Sequence, residues 1–124
     1  MAQTQIKEIE GYNGYFIDTD GNVWTTKKFK GRDGLTKLTL SKKKTGYLYA
    51  NIYWGKANNE RSSLRVNRIV YQTFISCIPE GYVVDHRNDI KNDNRLENLQ
   101  LLTPKENTEK YWKTKAAQLR KKTI

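Results

Sequence analysis

"VDHRNDIKNDNRLENLQLLTPKEN", residues 84–107, changes character three times, and the order of those changes decides the fold. The run "YVVDH", residues 82–86, reads as a short strand whose end delivers Asp85 and His86, the single histidine of the chain. The next stretch, "RNDIKNDNRLEN", is too rich in Asn and Asp for regular structure beyond a turn of helix at Leu96. Short polar side chains of this kind compete for backbone hydrogen bonds and favour turns. "LQLL", residues 99–102, reads as a second strand with Leu99 and Leu101 on one face.

"TPKEN", residues 103–107, carries an explicit helix start. Thr103 is a good N-cap, Pro104 suits the first helical position, and Glu106 completes a capping box three residues after the threonine. Asn107 therefore falls in the first turn of a helix expected to run through "TEKYWKTKAAQLRKK", residues 108–122. Trp112, Ala116 and Leu119 recur at helical spacing and are expected to form its inward stripe.

With the two strands antiparallel, the first turn of that helix folds back over the end of the first strand. Asp85 and Asn107 can then each offer an oxygen to one divalent cation, with His86 leaning towards the same spot. A hard cation such as Mg²⁺ or Mn²⁺ takes oxygen ligands and keeps several waters. Histidine changes charge near neutral pH and can take a proton from an attacking water. The chemistry such a group suits is metal-assisted hydrolysis of a phosphodiester. An isolated Asp-His pair is more often a solvated strand end; the capped asparagine helix at the right distance argues for a site here.

The rest of the chain agrees with a polyanionic partner. The formal charge is +10, and it is clustered: residues 24–66 hold eleven Lys and Arg against Asp33 and Glu60, whereas the block around Asp85 and His86 is near neutral. Each phosphate that such a cluster neutralises releases counterions. Cys77 is the only cysteine, which excludes an intramolecular disulfide and, with one histidine, an all-Cys/His zinc site. It sits in the apolar run "TFISCIPEGY" and is expected to be a buried small hydrophobe. No apolar stretch approaches membrane-spanning length and the N-terminus lacks a signal peptide's apolar segment, so a soluble, cytoplasmic protein is expected.

Upstream, short antiparallel strands are expected. "GYFID" and "NVWTT" flank Thr19-Asp20-Gly21, a strong hairpin signal. "LTKLTL", residues 35–40, alternates; "GYLYANIYW", residues 46–54, alternates better, with Tyr47, Tyr49, Asn51 and Tyr53 on one face and Leu48, Ala50, Ile52 and Trp54 on the other. "RSSLRV", residues 61–66, is its expected hairpin partner. "NRIVYQTFIS", residues 67–76, has helical spacing through Ile69, Val70, Phe74 and Cys77, with Pro79 and Gly81 as terminators. Lys27, Lys28, Lys30, Arg32, Lys42, Lys43 and Lys44 then fall in loops or at strand ends near the tyrosine face. That face either lies along nucleic acid or simply covers the sheet; both readings stand.

Residues 84–107 closely resemble the HNH endonuclease motif in the form found in phage and intron-encoded homing endonucleases. The match takes in Asp85, His86, Asn94, Asn98, Leu99, Thr103 and Asn107 without a gap. The resemblance extends upstream over "IEGYNGYFIDTDGNVWTTKK" and "RVNRIVYQTFI", so that it covers roughly residues 8–112. It implies an α+β fold: an N-terminal antiparallel β-sheet leader with a short helix, residues 1–78, and a ββα-metal HNH module with a C-terminal helix, residues 79–124. It implies His86 as general base, Asp85 and Asn107 as ligands of Mg²⁺ or Mn²⁺, and Asn98 as a residue that pins the loop or orients the histidine. It also implies cleavage of DNA to 5′-phosphate and 3′-hydroxyl ends. The expected partner is double-stranded DNA and the expected state a monomer or weak dimer, with Tyr47, Tyr49, Arg65, Arg68, Arg87 and Arg95 joining the lysines in contact with DNA. The alternative is a catalytically silent DNA-binding module on the same fold. The chain departs from the pattern at Asn67, where leaders of this kind often carry His, at Asn88-Asp89, often Asp-Gly, and at Leu101, often Trp.

Overall fold

The computed structural model describes residues 3–26, 34–54 and 60–122. Lys27, Lys28, Lys30 and Arg32 lie outside the described residues. Among these described residues, three antiparallel sheets and two α-helices make up the fold. The first sheet takes β1 (Ile6–Glu8), β2 (Tyr15–Asp18), β3 (Val23–Thr25) and β4 (Thr36–Lys37) in that order. The second takes β5 (Ser41–Lys42), β6 (Leu48–Trp54) and β7 (Glu60–Arg65). Helix α1 (Val66–Phe74) leads to the two-stranded sheet of β8 (Val83–His86) and β9 (Leu99–Leu102), and α2 (Pro104–Lys122) closes the chain.

The hairpin of β2 and β3 forms as the Asp-Gly turn requires, pairing Tyr15 with Thr25 and Ile17 with Val23. Asp18, 4% exposed, organises the turn. Its carboxylate accepts from the Asp20 and Asn22 amides at 3.0 and 2.8 Å, from Asn22 Nδ2 at 3.2 Å and from Trp24 Nε1 at 2.9 Å. β6 pairs with β7 from Tyr49–Arg65 to Trp54–Glu60, and its Ala50 and Ile52 face the core. Residues 35–40 do not form the single strand their alternation suggests. Only Thr36 and Lys37 pair, with β3, before the chain crosses to the second sheet at Ser41.

One buried cluster ties these elements together. Ile17 and Val23 of the first sheet, Ala50 and Ile52 of the second, Val66 and Val70 of α1, Val84 of β8 and Leu99 of β9 all belong to it. α1 has no side-chain cap, so burial of Val66, Ile69, Val70 and Tyr71 supplies its stability. It ends at Phe74, earlier than Pro79 and Gly81 suggest. Tyr71 O accepts both the Ile75 and Ser76 amides, at 2.9 and 3.3 Å, and the chain leaves the helix there. Cys77 follows in that irregular segment and is exposed, which corrects the expectation of a buried thiol.

α2 corrects a second expectation. Trp112 and Leu119 are 62% and 61% exposed, and Ala116 is exposed too. Where α2 packs against β8 and β9, Lys110 and Thr114, not the apolar residues, lie half-buried towards the protein.

The turn of the first sheet reaches the loop between β8 and β9: Leu96 N donates to Thr19 O at 2.8 Å. Gly21, at φ +89°, lies so close that a Cβ on it would meet Asn94 Cβ at 2.8 Å and Asn94 O at 3.1 Å. Gly11 has a similar φ of +87° with nothing within 4 Å. Gly11→Ala therefore bears only the left-handed backbone penalty, about 1–2 kcal/mol, whereas Gly21→Ala adds an overpacking term of about 1–3 kcal/mol. Thermal melting of the two variants is expected to rank Gly21→Ala clearly lower; equal losses would show that the contact with Asn94 is soft.

Candidate active site

β8 and β9 pair Val83 with Leu102, Val84 with Leu101, Asp85 with Gln100 and His86 with Leu99. The loop between them is held by asparagine side chains in place of secondary structure. Asn98, 6% exposed, donates from Nδ2 to Asn88 Oδ1 and to Asp93 O, at 2.9 and 2.8 Å, and its Oδ1 accepts the Asn88 amide at 3.2 Å. Asn88 in turn accepts the Ile90 amide at 2.9 Å and donates to Asp93 Oδ2 at 2.8 Å. Asp89 sits at φ +62°, in the left-handed region that Asp tolerates better than most residues. That conformation accounts for the glycine commonly found at this position in the pattern the sequence resembles. Leu96–Asn98 forms the expected helical turn, of 3₁₀ type.

His86 is 4% exposed. Its Nε2 lies 2.7 Å from Asn94 Oδ1, and Asn94 is itself only 3% exposed. Asn94, not Asn98, thus contacts the histidine, while Asn98 pins the loop. An amide oxygen only accepts, so the contact is made through an Nε2 proton, and in the neutral ring that leaves the lone pair on Nδ1.

Asp85 Oδ2 accepts from Gln100 Nε2 at 2.8 Å and from Lys110 Nζ at 2.5 Å. The Lys110 ammonium also reaches His86 O at 2.8 Å and Asp89 Oδ1 at 2.8 Å. Partial burial works against the charge of Lys110, but the Asp85 and Asp89 carboxylates outweigh it and raise its pKa. Lys110 lies three residues after Asn107, on the same side of α2. Helical spacing alone could have nominated it; Gln100 becomes visible only once the register opposite Asp85 is known.

The three residues that the sequence singled out come together. Asp85, His86 and Asn107 line one cavity of about 110 Å³, which Arg65, Asn67 and Arg68 also border. The capping box that brings Asn107 there is formed: Glu106 N donates to Thr103 Oγ1 at 3.1 Å and Thr103 N to Glu106 Oε1 at 3.0 Å. Those bonds hold the Glu106 carboxyl below its usual value. A second pocket, of about 370 Å³, shares Asp85 and Asn107 and opens past Tyr47, Lys91 and Lys110.

Cations and aromatic rings alternate beside these pockets. Arg65 lies over Tyr47 with its guanidinium carbon 4.1 Å from the ring centre, and Lys91 Nζ is 4.9 Å from the same ring. Lys43 Nζ sits 3.9 Å over Tyr49, whose hydroxyl accepts from Arg65 Nε at 3.4 Å and has its pKa lowered by that contact. Lys42 and Lys44 are exposed nearby. Arg87 reaches Gln100 Oε1 at 3.2 Å. Arg95 is exposed on the loop and grips Asp93 with two bonds of 2.8 Å and Glu97 with a third.

The Asp93–Arg95 pair also sets an acid limit. Arg95, opposed by burial and aided by Asn88, holds the Asp93 carboxyl far below its ordinary value. Its contribution to stability is complete above the unfolded value, about pH 4, and is lost as pH falls through the folded one. Thermal melting below about pH 4 should therefore decline more steeply for the wild type than for Asp93→Asn. Parallel decline would remove this pair from the acid response.

Comparison with known proteins places the chain. The family described as HNH endonuclease matches residues 65–109. "DNA endonuclease I-HmuI" of Bacillus phage SP01 is 31% identical over 104 residues, covering 83% of this chain and 55% of that protein. "SPbeta prophage-derived putative HNH homing endonuclease YosQ" of Bacillus subtilis is 46% identical over 43 residues, 35% of this chain and 25% of that one. A solved structure titled "DNA binding and cleavage by the HNH homing endonuclease I-HmuI" superposes with a TM-score of 0.70 at 29% identity, covering 94% of this chain and 66% of the other. The chain spans about half the length, or less, of these curated relatives. The matched segment contains both strands, the asparagine loop and the helix start that build the cavity, and over it the chain is similar to the HNH endonuclease family.

Proposed function

We propose that the protein is a DNA endonuclease that hydrolyses phosphodiester bonds at the cavity shared by Asp85, His86 and Asn107, with the help of a divalent cation. The observation that carries this reading is that one small cavity gathers a carboxylate, an amide and an imidazole whose Nε2 is held by Asn94, with Arg65 and Arg68 also on its border. His86 Nδ1, its lone pair left available by the Asn94 contact, takes the proton from the attacking water. The water oxygen then bonds to phosphorus as the P–O3′ bond breaks, leaving a 5′-phosphate and a 3′-hydroxyl.

The donor set fits a hard cation. Among the described residues no three His, Cys, Asp or Glu side chains cluster to hold a metal by themselves; Asp85 and Asn107 present oxygens, the ligand type a hard cation takes. These two residues would hold Mg²⁺ or Mn²⁺, which supplies Lewis-acid stabilisation of the phosphate when bound. The Lys110 ammonium among three oxygens supports the reading, because the place already accommodates positive charge. Tyr47, Tyr49, Lys43, Arg65 and Lys91 form the flank along which duplex DNA lies, the cations contacting phosphates without reading sequence. The names of the relatives support a homing-type or nicking enzyme. With one site per chain, a monomer cuts one strand.

Supercoiled plasmid at low salt, with Mg²⁺, Mn²⁺ or EDTA, tests the reading. Open circles are expected first, only with metal, and His86→Ala should lower the rate by about 10²–10⁴-fold while plasmid retardation persists. Retardation without scission by wild type under every condition would leave a silent DNA-binding module instead. Lys110→Met removes the competing ammonium and is expected to tighten Mn²⁺ binding, read by the loss of free-ion EPR signal. Weaker binding would mean that Lys110 holds Asp85 in place for the cation.

A further inference from the structure

Asn67 is an amide in a place where packing asks for an apolar side chain. It lies in the first turn of α1 among Val66, Ile69 and Val70 and is 3% exposed. Its Nδ2 donates to Val84 O at 2.9 Å, which ties the helix to the strand that carries Asp85 and His86. Its Oδ1 is buried and, among the described side chains, is the one buried polar atom without a hydrogen-bond partner. Leaving an acceptor unpaired in this way is costly, and such a group in a native structure calls for an explanation, among them a bound water, an ion or a catalytic role.

Asn67 borders the same 110 Å³ cavity as Asp85, His86 and Asn107. That space is large enough for several waters, since one needs only about 10–15 Å³ of such volume. The bond to Val84 O commits the NH₂ group and so fixes the amide. Its oxygen is the one buried side-chain acceptor, among the described residues, that the protein leaves unpaired, while the Asn107 oxygen at the same cavity is assigned to the cation. Asp85 Oδ2 is taken by Gln100 and Lys110, and Asn94 Oδ1 by His86.

Resting on the proposed role of His86, we infer that Asn67 Oδ1 accepts the second hydrogen of the attacking water and so aims its lone pair at phosphorus. One O–H of that water is directed to His86 Nδ1 and the other to Asn67 Oδ1. As the new O–P bond forms and P–O3′ breaks, the first proton passes to His86, the second stays on the new phosphate oxygen until solvent removes it, and the leaving O3′ is protonated by solvent. Asn67 holds the nucleophile and exchanges no proton.

Two variants separate this role from the bridge to Val84. Asn67→Leu loses both the oxygen and the bridge; Asn67→Asp keeps an oxygen but loses the donor to Val84 O. Single-turnover cleavage at saturating DNA and metal, melting temperature, DNA affinity in EDTA and Mn²⁺ affinity are measured for both beside His86→Ala. Asn67→Leu is expected to lose about 10- to 10²-fold in rate with DNA and Mn²⁺ affinities unchanged. Asn67→Asp should keep most of the rate although it melts lower than wild type. Wild-type rates in Asn67→Leu, rates that follow melting temperature in both variants, or loss of Mn²⁺ affinity in Asn67→Leu would each overturn the assignment. His86→Ala tells the two failures apart. If it cuts as wild type does, the reading of the site falls first; if it alone is inactive, only the role of Asn67 falls.

Discussion

A buried imidazole has to be held by one nitrogen if the other is to do chemistry, and the 2.7 Å contact between His86 Nε2 and Asn94 Oδ1 does this. The cost of enclosing a polar ring is offset by a bond that also selects the tautomer. Asn94 can serve only because it is fixed from behind. Gly21 approaches it too closely for any side chain, and Thr19 O accepts the amide of Leu96 just beyond it. Both residues belong to a turn that Asp18 organises through four hydrogen bonds, so the first sheet backs the site although it carries none of the proposed cation ligands.

The loop itself illustrates how side chains stand in for secondary structure. Asn88 and Asn98 satisfy one another and the backbone around them, and the Asp93–Arg95 fork closes the far side. Such a network is rigid only when complete, because each missing partner would leave a polar group unpaired in a partly buried place. Lys110 plays the matching part for charge. Asp85 and Asp89 stand near one another, and its ammonium, raised in pKa by both, keeps them together.

α2 shows the limit of pattern reading within the same few residues. Its start is fully local: the Thr103–Glu106 capping box forms because both partners lie within four residues, and it aims Asn107 at the cavity. Its faces are not local. Packing against β8 and β9 decides which side is inward, and that side carries Lys110 and Thr114, while Tyr111 and Trp112 pack edge to face on the outside with ring centres 5.2 Å apart.

Much of the site was legible in residues 84–107, because strand alternation, an Asn/Asp loop and a helix cap are set by interactions between near neighbours. The hairpin at Asp20-Gly21 and the faces of β6 were legible for the same reason. The contacts that complete the site were not. Gln100 meets Asp85 through strand register, Asn67 reaches Val84 O across seventeen positions, Tyr47 lies 6.0 Å from the His86 ring, and Gly21 abuts Asn94 from a different sheet. The burial of Trp112 and Cys77, expected from apolar spacing, also failed, since spacing says which side chains share a face but not what lies opposite. What the sequence alone determined was the local machinery of strand, loop, cap and the three residues at their ends. Which side chains support that machinery was decided only when separate elements packed together, because those contacts depend on distances that no local pattern encodes.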